Sequence, residues 1–184
     1  MADMTTNNSP ETKFLLTAPD PLMIAAWTDH FSHDSRFEIR QGLALCPDAN
    51  AWSTASDSRL GMGGGLDRAI SRVLPDAYDK AQQILAELYR GFMPVGQAVA
   101  IPSGKDVPKW IILVPTMPCP APLSSPEPIT LAMLALLRVA HQHPAIRKVC
   151  VPAYGTGVGQ IAPEKAAAAM HQAVVIYDHE LASH

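Results

Sequence analysis

Short apolar runs and longer amphipathic stretches take turns along the chain from residue 14 onward. Phe14-Leu15-Leu16-Thr17 predicts a strand. Asp20 followed by Pro21 predicts a helix start, with the aspartate as N-cap and the proline in the first helical position, where no N–H is needed. Ile24, Trp27 and Phe31 recur behind it at helical spacing. Arg36-Phe37-Glu38-Ile39-Arg40 alternates polar and apolar, as a half-buried strand does, and Ala51-Trp52-Ser53-Thr54-Ala55 predicts another strand. Residues 66–73 predict a short helix stopped before Pro75. A longer helix follows, with Tyr78, Ala81, Ile84, Leu85 and Leu88 on one stripe and Gly91 as its C-cap. Residues 97–101 and 110–114 read as strands, and the proline-dense stretch 115–128 as a loop suited to a rim or cover. Ile129, Met133, Leu136, Leu137 and Ala140 mark a helix, Val149-Cys150-Val151 a strand, and Pro163-Glu164 the start of a last helix running through Met170, Val174 and Tyr177.

Strands alternating with helices from end to end predict an α/β fold, a three-layer α/β/α sandwich around a mixed, mostly parallel central sheet. Residues 1–12 read as a polar tail and 13–184 as a single domain. With 48% hydrophobic and 17% charged residues the composition excludes a disordered chain. The net charge of -3, without a block of Lys and Arg, disfavours a polynucleotide surface. Residues 1–10 lack an apolar signal core, and the apolar run at 131–137 is too short to span a bilayer, so a soluble cytoplasmic protein without membrane partners is expected. Cys46, Cys119 and Cys150, without a CxxC pair, read as buried thiols in a reducing compartment, neither disulfide frame nor zinc site. His30 and His33 read as surface or core-edge residues, and His141 and His143 as partners of a helix dipole. No motif calls for a metal or a cofactor.

What remains are two glycine-rich stretches, each leading into a predicted helix: Gly61-Met62-Gly63-Gly64-Gly65 and Gly155-Thr156-Gly157-Val158-Gly159. A glycine loop ahead of a helix lets the backbone approach a ligand closely and offers unpaired N–H groups at the positive end of the helix dipole, an arrangement that holds phosphate. Two such loops suggest a diphosphate gripped from two sides; either one alone reads as a flexible turn. Neither is a P-loop, because no Lys-Ser/Thr follows the glycines, and a Rossmann fingerprint would stand once, in the first βαβ unit. The absence of a Gly-x-Ser-x-Gly elbow removes the usual serine hydrolase reading.

Together the two stretches resemble the macro domain, an ADP-ribose-binding α/β/α module. The family's first loop has the form Asn-x-x-Leu-x-Gly-Gly-Gly-Gly-Val-Asp; here Asp57-Ser58-Arg59-Leu60-Gly61-Met62-Gly63-Gly64-Gly65-Leu66-Asp67 stands in the same register. The second, Pro-Ala-x-x-Thr-Gly-Ile/Val, is matched by Pro152-Ala153-Tyr154-Gly155-Thr156-Gly157-Val158. Pro115-Thr116-Met117 with the Gly-Thr-Gly-Val-Gly loop looks most like a bacterial and phage branch. The resemblance implies ADP-ribose, free or on a substrate, as partner. It places backbone N–H groups of Gly63, Gly64, Gly65 and Leu66 beside the distal ribose and phosphate, and those of Gly155, Thr156, Gly157, Val158 and Gly159 around the diphosphate.

Three departures stand out. The family's Gly-Asp-Ile/Val, whose aspartate accepts from the adenine amino group, is Gly42-Leu43-Ala44 here, which leaves packing or another acid such as Asp48 to hold the base. The asparagine that contacts the distal ribose is Asp57, and the aromatic residue that covers it is Gly159, which implies a more open end. Some macro domains only read ADP-ribose; others hydrolyse its linkages. The resemblance makes Asp67 the acid/base candidate, with Asp57 close enough in sequence to share its proton. The alternative for Asp67 is a helix N-terminal acid facing the dipole, and for Asp57 a turn residue.

Overall fold

The protein is described by a computed structural model covering residues 11–183. The polar tail read at residues 1–12 therefore lies almost wholly outside the described residues. The elements follow the order β1 (Lys13–Ala18), α1 (Pro21–Phe31), β2 (Phe37–Gln41), β3 (Ala51–Ser53), β4 (Ser56–Asp57), α2 (Gly65–Val73), α3 (Ala77–Tyr89), β5 (Val99–Pro102), β6 (Trp110–Leu113), β7 (Pro115–Met117), α4 (Glu127–Gln142), β8 (Lys148–Pro152) and α5 (Pro163–Ala182). Six strands form one sheet in the order β2-β1-β8-β3-β6-β5, parallel throughout except for the antiparallel pair of β5 and β6.

The inner strands β1, β8, β3 and β6 are buried on both faces, and their side chains divide by the two-residue period of the pleat. Phe14, Leu16, Val149, Val151, Ala51, Ile112 and Val114 face one core, which α1, α4 and α5 close with Trp27, Phe31, Met133, Leu136, Met170 and Val174. Leu15, Cys150, Trp52, Ile111 and Leu113 face the other, closed by α2 and α3 through Ile70, Ala77, Ala81 and Leu85. This is the mixed, mostly parallel α/β/α sandwich that the alternation of elements predicts. None of the helices of the described residues is long and apolar enough to cross a membrane.

Helix starts match the signals in the sequence. Asp20 Oδ1 accepts from the Leu22 N–H, and Pro21 opens α1. The α3 stop differs in detail: the chain turns left-handed at Arg90 (φ 53°) and again at Gly91 (φ 88°), so the glycine follows the cap instead of forming it. The larger difference lies in the stretch read as loop from 115 to 128. Residues Pro115–Met117 form β7, pairing with β4, because the Ser58 N–H donates to the Met117 carbonyl and the Ser56 N–H to that of Val114. Proline is tolerated there because the pair is isolated from the main sheet. Glu127 and Pro128 already belong to the first turn of α4.

Asn50 ties the opposite edge of the sheet together. Its Oδ1 accepts from the N–H groups of Arg147 and Lys148 (3.0 Å each), and its Nδ2 donates to the Ala145 carbonyl at 2.8 Å. Its own carbonyl receives the N–H groups of Lys109 and Trp110. One side chain thus aligns the first residues of β8 with β3, while the backbone aligns β6. Asn50→Ala removes three side-chain bonds from a partly solvated site and is expected to lower stability by about 2 kcal/mol, read as a lower urea midpoint at unchanged slope.

Candidate functional site

The carboxyl ends of β2, β1, β8 and β3 open into one cavity of about 430 Å³. These strands are neighbours at about 4.8 Å spacing, so the cavity runs about 14 Å across the sheet edge. Thr17, Ala18, Pro19, Leu43, Ala44 and Leu45 line the end over β1 and β2. Both glycine loops meet the remainder, with Gly61, Gly64, Gly65, Leu66 and Asp67 on one side and the whole run from Gly155 to Gly159 on the other. Of the residues singled out in the sequence, Gly63 does not reach the lining.

The first loop is pinned by side chains turned inward. Leu60, at positive φ, and Met62 are buried in the core beneath α2 and α3, and Asp57 Oδ1 accepts from the Arg59 N–H at 2.7 Å to close the preceding turn. This is the turn role that the sequence allows for Asp57, which also lines the cavity. Gly64 is the N-cap of α2 without a side-chain cap, so the first N–H groups of the helix have no partner within it. A Cβ added at Gly63 or Gly64 would meet nothing within 4 Å.

The second loop is held from below by Tyr154, fully buried and hydrogen-bonded through its hydroxyl to Ser53 Oγ of β3. Gly155 sits at φ +74° against Ile129 of α4, leaving no room for a Cβ. A Cβ at Gly159 would stand 2.5 Å from the Gly155 carbonyl oxygen, so the tight closure of this loop requires glycine at the position where the resemblance implies an aromatic residue. By contrast, a Cβ at Gly157 would meet nothing within 4 Å. The proline-rich stretch acts as the expected cover: Pro120 lines the cavity and the Leu123 N–H donates to the Gly159 carbonyl.

Asp67, in the first turn of α2, is 4% exposed. Its Oδ2 accepts from Ser56 Oγ at 2.6 Å and its Oδ1 from the Ala55 N–H at 3.3 Å. Burial pushes its pKa up to about 6; the bonds from Ser56 and Ala55 pull it down, and the charge of Asp57 adds to the rise. The direct partner of Asp67 is therefore Ser56, not Asp57. Ser56 and Tyr154 carry no signal in spacing or composition, and sequence reasoning passes over both.

Asp48 does not supply an acid to the cavity. It is tied on the surface to Arg40 at 2.8 Å and Lys148 at 3.2 Å, pairs that hold its carboxyl far below the usual range, the Arg40 bond first. The cysteines divide: Cys119 is exposed, against expectation, while Cys46 and Cys150 are buried with their sulfurs 2.9 Å apart. Burial first, then the bond to Cys46, pushes the Cys150 thiol up to about 12. His141 stands in the last turn of α4 and His143 at its C-cap, and each also packs edge-on against a ring, His143 against Trp110 and His141 against Tyr177. The described residues hold no cluster of His, Cys, Asp and Glu able to bind a metal ion.

The macro-domain profile matches residues 54–170. An uncharacterised protein of Aquifex aeolicus is 36% identical over 123 residues, which are 67% of this chain and 71% of that one. The macrodomain of Mycobacterium tuberculosis DarG shares 26% identity at a TM-score of 0.62, with 76% of this chain and 88% of that one covered. Thermosipho africanus DarTG, solved in complex with ADP-ribose, has the same fold at 17% identity and a TM-score of 0.59, over 69% of this chain and 35% of that one.

The raised pKa of Asp67 has a consequence for stability. Between the ordinary carboxyl value of about 4 and its folded value of about 6, the folded state holds a proton that the unfolded chain has released. This group therefore makes stability fall as pH rises through that window, by at most about 3 kcal/mol. Urea unfolding of wild type and Asp67→Asn at pH 4 and pH 7 is expected to show the variant gaining on wild type at the higher pH. An equal difference at both values would mean that the carboxyl is not desolvated.

Proposed function

The chain belongs to the macro-domain family, and on that footing we propose that it binds ADP-ribose, or a related NAD-derived nucleotide, and hydrolyses an ADP-ribosyl linkage with Asp67 as acid/base. The diphosphate lies between the two glycine loops, on N–H groups of Gly64, Gly65 and Leu66 on one side and of Thr156 to Gly159 on the other, with Gly63 flanking. A backbone cradle suits an anion here because it supplies several donors without burying a cationic side chain. The ADP-ribose bound by Thermosipho africanus DarTG, on the same fold, supports this choice of ligand.

The observation that carries the catalytic part is Asp67 itself: a cavity-lining carboxyl, nearly enclosed, with a pKa raised to about 6. Near neutral pH it is mostly ionised yet still basic enough to take a proton, the condition under which a general base contributes about 10²- to 10⁴-fold. Each of its oxygens accepts one bond from the protein and keeps a lone pair for a water molecule. As that water attacks the anomeric carbon, or an ester carbonyl, of a substrate positioned by the cradle, Asp67 takes its proton. The bond between the ribose and the modified group, or the ester C–O bond, breaks, and the proton passes from Asp67 to the departing oxygen. A second reading draws on the same two bonds: Ser56 and Ala55 clamp Asp67 as an anchor for α2, and the chain reads ADP-ribose without turning it over.

Release of ADP-ribose from proteins mono-ADP-ribosylated on aspartate, glutamate or serine separates the two. A base must be ionised to act, so kcat/KM is expected to fall below about pH 6. Asp67→Asn is expected to lose at least about 100-fold while still binding ADP-ribose by calorimetry. Equally slow release by wild type and variant, no faster than without protein, leaves the reader; equally fast release overturns Asp67 as the base; and absence of binding heat at millimolar ADP-ribose sinks the ligand itself.

A further inference from the structure

The cavity is polarised along the sheet edge, and the polarity stops short of one end. Asp57 and Asp67, the charged side chains in its lining, both lie at the β3 end, and both sets of glycine-loop N–H groups lie at the middle and the β3 side. Over β1 and β2 the lining is Ala18, Pro19, Leu43, Ala44 and Leu45 with one hydroxyl, that of Thr17. Thr17 is 2% exposed and its Oγ1 is engaged by Cys150 Sγ at 3.4 Å. Three carbonyls of this end already hold a partner within the protein. That of Ala18 accepts from the Gly42 N–H, that of Pro19 from Gln41 Nε2, and that of Leu43 from Cys46 Sγ. Leu43, 67% exposed, presents an apolar face at the rim.

An apolar end beyond the diphosphate cradle suits a purine base packed against aliphatic side chains. Telling one purine from another needs more than packing. Adenine carries a hydrogen-bond donor at its sixth position and hypoxanthine an acceptor, and a site rejects the wrong one only by leaving a buried partner unpaired. The side chains at this end offer no such partner. We propose that the site accepts nucleoside diphosphate riboses with a 6-oxopurine base as well as adenine, because no side chain at the β1–β2 end reads the exocyclic group. This rests on the ADP-ribose reading above and extends it from one ligand to a class.

The test is calorimetry of the wild-type chain with ADP-ribose and with inosine diphosphate ribose, which differ in that group and in the proton on the adjacent ring nitrogen. Dissociation constants within about tenfold of each other are expected, since a single charge-assisted reader would separate them by more. Binding of ADP-ribose with the inosine analogue more than about tenfold weaker overturns the inference and leaves the ADP-ribose reading standing. Failure of both to bind overturns that reading, and the inference with it. Leu43→Asp supplies a second arm: the residue is exposed, so the fold survives, and an acceptor at the rim is expected to open a preference for adenine of at least about tenfold. If the variant treats both ligands alike, the base does not lie beside Leu43.

Discussion

The site depends on where β8 goes. Almost the last element of the chain, it inserts between β1 and β3 and pairs in parallel with both, Leu15 and Trp52 standing in register with Cys150. Parallel pairing turns the carboxyl ends of all three strands to one edge, so the glycine loop after β8 comes to lie beside the one before α2. Had β8 joined at an outer edge, the two loops would stand several strand spacings apart. The pairing also sets the order of environments along the cavity, from the apolar ends of β1 and β2 to the carboxylates over β3.

Each loop is fixed by side chains that point away from the cavity. Leu60 and Met62 sink into the core on one side, Tyr154 on the other, and in each case the backbone is left facing outward. The glycines then divide by what demands them. Gly155 and Gly159 are required by the protein's own packing, through Ile129 and the Gly155 carbonyl. Gly64 and Gly157 are not: neither carries a positive φ, and a Cβ at either would meet only open space. Glycine lowers stability through its backbone entropy, so its presence at these two positions agrees with a molecule approaching the main chain closely.

Much of this was legible in the chain. The short apolar runs at 14–17, 110–114 and 149–151 marked the buried strands, and Asp20-Pro21 fixed the start of α1, because both signals are local. The glycine register pointed to the cavity-lining residues apart from Gly63. What sequence could not supply were contacts made at long range. Ser56 reaching Asp67, Tyr154 reaching Ser53 and Asp48 drawn off to Arg40 and Lys148 depend on the folded arrangement of strands and loops. The strand at Pro115–Met117 was hidden for a related reason: its partner, β4, is two residues long, and prolines around it carry a loop signal. The same holds for Gly159, where the Gly155 carbonyl closes the space a Cβ would take.

The central claim is that the exposed main chain of the two loops holds the diphosphate of ADP-ribose. Gly157→Ala tests it most directly, because the added methyl touches nothing in the protein and intrudes only on what lies against the loop. The account predicts a variant that melts as the wild type does and binds ADP-ribose at least about tenfold more weakly by calorimetry. A folded variant with wild-type affinity would contradict it.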